Sequence, residues 1–389
     1  MRALLAFDKF KDALTARQAC DAAAAALRRR QPAWELDLCP LADGGEGFAA
    51  ILTAAAGGTM TTLTVTGPRG APVDAAYGLV PWSRIPAAAR ARLALPFTPE
   101  AHAEVAVIEM AAASGLALLP SAERDPWQTT TLGTGQLLAA AARSGAAVLV
   151  LGVGGSATND LGLGALSALG LEFVAAAGDL VRPPVPARWD RIERIAGAVP
   201  RSLPPIRIAC DVANPLLGPR GAAAVYGPQK GLKASDRAQL DHAAARLGLL
   251  LCQHAGKPDT LMDASGAGAA GGLAFGLMAG AGATLLPGFD LVAAWLDLDA
   301  RLAAADLVLT GEGRFDDSSL SGKGPGAVAA RALALGKRVQ VYAGQVAATN
   351  PHPGLALHAI TPPGQPLEDA LRSAAANLEA AVDGMAGRP

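Results

Sequence analysis

Short runs rich in apolar residues recur at Ala3–Phe7, Trp34–Leu38, Asp306–Thr310, Arg338–Tyr342 and Leu355–Ile360. Runs of this length, bounded by polar or turn residues, predict strands buried on both faces of a parallel sheet. Thr15-Ala-Arg-Gln18 has the form of a capping box and opens an Ala-rich helix to about Arg30. Further helices are expected over about 325–336 and 344–350, and from Leu367 to Val382. Strands alternating with helices at both ends of the chain predict a flavodoxin-like, doubly wound α/β domain, discontinuous over residues 1–58 and 285–389.

The middle of the chain has another rhythm. Thr59–Thr66 and Val73–Val80 flank Gly67-Pro68-Arg69-Gly70, a turn signal that predicts an antiparallel pair. Glu104–Ala111 and Val148–Val153 are further strands, and helices are expected over about 131–144, 160–170 and 236–254. Residues 59–284 therefore read as a second, mixed α/β domain inserted into the first.

Composition narrows the classes. With 389 residues, a net charge of −1 and 51% apolar residues, the chain has room for two cores and no basic field to recruit nucleic acid or a membrane surface. Cys20, Cys39, Cys210 and Cys252 lie far apart, without the spacing of a metal or redox pair. The uncharged run from Ala264 to Phe289 is mostly Gly and Ala, meets Pro287, and reads as a closely packed helix rather than a membrane span. The N-terminus lacks a signal-peptide pattern, so a cytoplasmic location is expected.

Candidate chemistry gathers at strand ends. Val148–Asp160 runs from an apolar strand into Gly152-Val-Gly154-Gly155-Ser156-Ala157-Thr158-Asn159-Asp160, a glycine-rich turn suited to an anion. It lacks a Walker lysine, and Gly152-x-Gly154-x-x-Ala157 fits the dinucleotide fingerprint only loosely. Asp8 with Lys9 and Lys11, Asp43-Gly44-Gly45-Glu46-Gly47, and Thr310-Gly311-Glu312-Gly313-Arg314-Phe315-Asp316-Asp317 follow predicted parallel strands. Gly322-Lys323-Gly324 closes the last segment. Cys210-Asp211-Val212-Ala213-Asn214 ends another apolar run, and Gly227-Pro228-Gln229-Lys230-Gly231 offers one lysine. Thr129-Thr130-Thr131-x-Gly133-Thr134 carries more hydroxyls than a helix cap needs. Gly266-Ala-Gly268-Ala-Ala-Gly271 follows no strand and reads as helix packing. Glycine loops, carboxylates and a few lysines suit phosphoryl transfer, which asks the protein for positioning and charge rather than covalent chemistry.

Taken in order, these motifs resemble the bacterial two-domain glycerate kinase family over nearly the whole chain. The resemblance rests on Asp8-x-Phe10-Lys11, Ala42-Asp43-Gly44-Gly45-Glu46-Gly47, Ile108-Glu109-Met110-Ala111 and Thr129-Thr130-Thr131-x-Gly133-Thr134-Gly135. It continues through Gly154-Gly155-Ser156-Ala157-Thr158-Asn159-Asp160, Cys210-Asp211-Val212-x-Asn214-Pro215-Leu216, Gly227-Pro228-Gln229-Lys230-Gly231 and Thr310-Gly311-Glu312-Gly313-Arg314-x-Asp316. It implies ATP-dependent phosphorylation of D-glycerate, with 2-phosphoglycerate the favoured product, ATP and Mg²⁺ required, and a monomer or homodimer. Lys9 stands where the family usually has Ser, and residues 84–103 form a longer segment.

On that resemblance, Gly154, Gly155, Ser156, Thr158 and Asn159 are expected to bind nucleotide phosphates. Lys11 and Lys230 are expected to contact the substrate carboxylate or the transferring phosphate. Asp8, Asp43, Glu46, Asn214, Glu312 and Arg314 are expected around the substrate, with Asp43 and Asp316 as Mg²⁺ ligands. Asp211 or Asp316 is the expected base for the attacking hydroxyl. The alternatives are a kinase for another small hydroxy acid and an NAD-dependent oxidoreductase.

Overall fold

The computed structural model describes residues 1–317, 319, 324–348 and 352–386. In chain order the strands are β1 (Arg2–Phe7), β2 (Glu35–Leu38), β3 (Thr59–Thr66), β4 (Pro72–Pro81), β5 (Glu104–Glu109), β6 (Val148–Gly152) and β7 (Leu171–Val174). They continue with β8 (Arg194–Gly197), β9 (Ile206–Ala209), β10 (Thr284–Leu286), β11 (Leu307–Phe315), β12 (Arg338–Val346) and β13 (Leu355–Ala359). The chain divides into two compact units, Met1–Asp43 with Val292–Pro389, and Gly44–Leu291. Helix Phe48–Ala55 packs on β3, β4 and β5, and Asp211 binds the first turn of helix Gly288–Trp295.

In the discontinuous unit five parallel strands lie in the order β13-β12-β11-β1-β2. Counted along the chain this is 2-1-3-4-5, so the winding reverses between β1 and β11. From Ala3 onward β1 is buried, as a central parallel strand must be. Helix Ala16–Arg30 opens with the expected capping box, Thr15 against Gln18. Its alanines let it lie close to β1 and to helix Ala374–Ala386. Ala3, Leu5, Phe7, Leu27, Leu309, Tyr342 and Leu378 meet in one core.

Two expectations fail here. No helix forms where residues 344–350 suggested one, because β11 and β12 run on as a pair through Phe315 and Val346; residues 349 and 350 lie outside the described residues. The single helix expected from Leu367 to Val382 is two, Leu367–Arg372 and Ala374–Ala386. At the break, the Ser373 hydroxyl donates to Asp369 O (2.7 Å) and accepts from Gln365 (2.9 Å).

The inserted unit holds a mixed sheet in the order β10-β9-β6-β5-β4-β3 and a small β7–β8 ribbon. The β3–β4 and β4–β5 pairs are antiparallel, and the rest of the six-stranded sheet is parallel. The uncharged run from Ala264 is only partly the helix expected: helix Ala269–Ala281 lies inside the core but is broken near its start by left-handed Ala270, Gly271 and Gly272, and Thr284–Leu286 is strand β10. Among the described residues no helix is long and apolar enough to cross a membrane.

Arg207, in β9, is buried and meets no carboxylate among the described residues. Its guanidinium donates to Leu93 O (2.6 Å) and Ala94 O (3.1 Å), the carbonyls that end helix Ala87–Arg92. Cations favour that end of a helix. The long 84–103 segment is thereby tied to the sheet. Arg207→Met leaves those carbonyls unpaired, at about 1–3 kcal/mol for each buried group. We expect a lower urea midpoint and faster tryptic cleavage at Arg90 and Arg92. Unchanged cleavage and midpoint would show that this tie holds nothing.

Candidate active site

The glycine loop after β6 is built by backbone apposition. Gly154 N donates to Gly44 O at 2.9 Å. A Cβ on Gly154 would lie 2.7 Å from the Cα and N of Gly45, so neither strand of this contact tolerates a side chain there. Gly155 is exposed, Gly154 and Ser156 are half-buried, and Thr158 and Asn159 turn inward. The helix expected from residue 160 begins only at Leu163. The dinucleotide fingerprint therefore fails, since no helix starts at Ala157. With Gly154 N bonded to Gly44 O, the loop turns at Gly155 (φ +71°) without starting a helix.

Behind the loop lies Asp160, fully buried. Its carboxylate accepts from Thr131 N (2.7 Å), Thr131 Oγ1 (2.9 Å), Gly162 N (3.1 Å) and Gly164 N (3.2 Å). Burial pushes its carboxyl above the usual range, and these donors oppose the shift. The surplus threonine hydroxyls also find employment: Thr129 donates to Ala157 O (3.2 Å) and Thr134 to Ser114 Oγ (2.8 Å). Gly271 presses on Thr158 and Asn159 with φ +67°, so this stretch packs closely, but as a left-handed turn at Ala270–Gly272 rather than the helix expected.

Lys230 is not exposed to any incoming ligand. Its ammonium is buried and donates to Thr158 O (2.6 Å) and Asn159 Oδ1 (3.2 Å). Burial lowers its pKa to about 7, against the pull of Asp160. Asp211 is also committed to its own unit: its two carboxylate oxygens accept from Gly288 N and Phe289 N, each at 2.8 Å. Asn214 donates to Arg220 O (2.8 Å) and accepts from Tyr226 (2.6 Å). Glu46 lies against Gly155. Glu109, which sequence reasoning left without a role, accepts from Ala49 N at 2.9 Å and fixes the turn that carries Glu46.

The discontinuous unit carries the other group. Asp8 follows β1, and its backbone N donates to Gly311 O of β11 (3.0 Å), where the winding reverses. Ligands of open α/β sheets bind at the carboxyl ends of strands flanking such a point. Lys9 N donates to Asp8 Oδ1 (2.7 Å), and Lys9 Nζ meets Asp43 Oδ1 (3.3 Å). Burial, reinforced by Asp43, raises the Asp8 carboxyl to about 8, with Lys9 opposing. Burial also raises Glu312; the Ser319 hydroxyl opposes this, while Asp43 and Asp316 add to it. Arg314 Nε pairs with Asp316 at 3.2 Å. Lys11 stands exposed on the turn Phe10–Leu14, its backbone beside Gly313. Asp8, Asp43, Glu312, Arg314 and Asp316 thus act on one another through contact or charge. Gly322 and Lys323 lie outside the described residues.

Among the described residues no three His, Cys, Asp or Glu converge as a ready metal cage. Mg²⁺ does not require one, since it takes one or two carboxylates and fills its shell with phosphate oxygens and water. Asp43 and Asp316 suit it as hard oxygen donors. Both push the Glu312 carboxyl up by their charge, a repulsion that a divalent cation relieves.

The Asp160 and Lys230 environment was hidden from the sequence. Its only trace was an excess of hydroxyls at Thr129–Thr134. The buried lysine makes a measurable prediction. The folded state sheds the Lys230 proton near pH 7, whereas the unfolded chain holds it to about 10.5. Between those values the unfolded state binds more protons, so this group makes stability rise with pH. We expect the urea midpoint of the wild type to gain more between pH 6 and pH 9 than that of Lys230→Met. Parallel profiles for the two proteins would contradict the burial of the charge.

Comparison with known proteins bears on what these groups serve. The model of the glycerate kinase family matches residues 3–388. A protein of Bacillus subtilis (strain 168) named glycerate kinase is 38% identical over 385 residues, covering 97% of this chain and 95% of that one. A glycerate 2-kinase of Escherichia coli (strain K12) is 37% identical over 349 residues, 89% of this chain and 86% of that one. A crystal structure from Salmonella typhimurium LT2, assigned as a glycerate kinase 2, superposes with a TM-score of 0.76 at 38% identity, covering 99% of this chain and 97% of that one. With a match that runs almost end to end, the chain belongs to the glycerate kinase family.

Proposed function

We propose that this chain transfers the γ-phosphoryl group of ATP to a hydroxyl of D-glycerate, with 2-phosphoglycerate as product. The observation that carries this reading is the carboxylate set at the β1–β11 reversal, in a chain of this family. The name of the Escherichia coli relative supports the product. We also take the two compact units as the two domains. The 2-1-3-4-5 order of the parallel sheet supports a flavodoxin-like, doubly wound architecture for the discontinuous one.

The nucleotide phosphates lie on the backbone N–H groups of Gly155 and Ser156, while Gly154 N stays bonded to Gly44 O. Thr158, Asn159 and Lys230 hold that loop from behind and are positioning residues, since their polar atoms point into the unit. Lys11 and Arg314 are the exposed cations available to a carboxylate or phosphate. Asp43 and Asp316 hold Mg²⁺, which when bound neutralises phosphate charge. Asp8 in its ionised form, which its raised pKa of about 8 favours at mildly alkaline pH, accepts the proton as a glycerate oxygen bonds to the γ-phosphorus and the bond to the ADP oxygen breaks. Asp8 is preferred as the base over the two carboxylates first expected. Asp211 has both oxygens on backbone N–H groups, and Asp316 is paired with Arg314. Asn214 is tied to Tyr226 and Arg220, which supports a structural role for it.

ADP release measured by a coupled assay with D-glycerate, L-glycerate, lactate and tartronate tests the substrate. D-Glycerate is expected to be used far better than the others, and equal use of lactate would overturn the reading. Asp8→Asn is expected to lower kcat by about 10²–10⁴ with little change in the KM for MgATP. Asp211→Asn is expected to lower the melting temperature more than the chemistry of the folded fraction. The reverse pattern would return the base role to Asp211.

A further inference from the structure

Strand β3 is the free edge of the six-stranded sheet. The alternation of an antiparallel pair decides which of its backbone groups face outward. Gly67 N donates to Ala71 O (2.7 Å), so in the same register Val65, Leu63, Thr61 and Thr59 turn their N–H and C=O groups toward β4. Residues 58, 60, 62, 64 and 66 turn theirs away. Both ends of that outward row are already closed. Thr53 O accepts from Gly58 N (2.8 Å), and Gln136 Oε1 accepts from Thr66 N (2.7 Å). Between them, the N–H groups of Met60, Thr62 and Thr64 meet no acceptor among the described residues. An open row of this kind recruits another strand, and edges are ordinarily guarded by a charge, a proline or a bulge. Thr59–Thr66 has no charge and no proline, and its register against β4 is unbroken. Met60 is 44% exposed, and Thr59, Thr61, Thr62 and Thr64 are exposed beside it.

We propose that β3 is the interface between two copies of this chain, paired antiparallel about a two-fold axis through Thr62. In that register Met60 faces the partner's Thr64, Thr62 faces the partner's Thr62, and Thr64 faces the partner's Met60. Each pair exchanges both of its N–H···O bonds, so the open row is used up with nothing left over. A two-fold axis sets the central side chains against their own kind, where a charge would repel itself; the uncharged row carries no such penalty. On the core side, half-buried Leu63 gains the cover of the partner's Thr61. The pairing is isologous and closes on itself, so it ends the exposure of this edge without recruiting further strands.

Sedimentation velocity over a dilution series tests it, together with hydrogen exchange of the β3 amides at residue resolution. The wild type is expected to pass from monomer to dimer as concentration rises. The amides of Met60, Thr62 and Thr64 are expected to slow with dimer formation, while those of Thr61 and Leu63, already turned to β4, keep their rates. Thr62→Lys sets like charges face to face at the axis and is expected to raise the dissociation constant about fivefold or more. Thr62→Pro removes an N–H that β4 does not use, which an edge strand tolerates, and is expected to be monomeric. If Thr62→Pro does not fold, Thr62→Lys decides. A wild type that stays monomeric at every concentration overturns the proposal. A dimer that Thr62→Lys leaves unchanged uses another surface and overturns it equally.

Discussion

One buried carboxylate organises the inserted unit. Asp160 has no water to solvate it, so its charge depends on the hydroxyl of Thr131 and three backbone N–H groups. Satisfying it draws the Thr129–Thr131 segment, the glycine loop after β6 and the start of helix Leu163–Ala168 to one point. Lys230 completes the arrangement from the other side through Thr158 and Asn159. Left-handed Leu161 (φ 56°) and Ala270 (φ 53°) lie in the two segments that meet there, and such strain persists only where the surroundings over-determine it. The loop that meets solvent, Gly154–Ser156, is therefore the outer surface of a rigid polar core.

The two units carry different chemistry, and the inserted one turns its glycine loop to solvent at Gly155, with no side chain there. The discontinuous unit crowds Asp8, Asp43, Glu312 and Asp316 near the reversal of its sheet. Burial raises the Asp8 and Glu312 carboxyls, and the charge of the neighbouring carboxylates adds to the shift. Holding like charges together costs stability, and the arrangement makes sense where cations and a reacting hydroxyl are to be received. Lys9 already serves this set by pairing with Asp43, in the position where the family resemblance places Ser.

Most of the parallel strands were legible as short runs rich in apolar residues, whereas β10 lay unread inside the uncharged run taken for a helix. The β3–β4 hairpin was legible from its Gly-Pro turn. The Thr15–Gln18 cap was legible because its two partners are local. Failures occur where tertiary contacts decide. Gly344–Val346 has no strand signature of its own, yet it extends β12 because β11 continues beside it. In the candidate site, residue types were legible and their orientations were not. Lys230 reads as a free cation between glycines, and only the fold shows its ammonium against Thr158. Asp211 reads as a free carboxylate at a strand end, and only the fold brings it the N–H groups of Gly288 and Phe289. Asp160 sat inside the most conspicuous motif and was passed over, because nothing local shows that a carboxylate is buried.

The central claim is a phosphoryl transfer to one hydroxyl of glycerate. Phosphorus NMR of the product formed from ATP and D-glycerate tests it directly, since coupling to neighbouring protons differs between the two phosphate esters. The account predicts 2-phosphoglycerate alone. Formation of 3-phosphoglycerate, or ATP consumption with no glycerate ester, would contradict it.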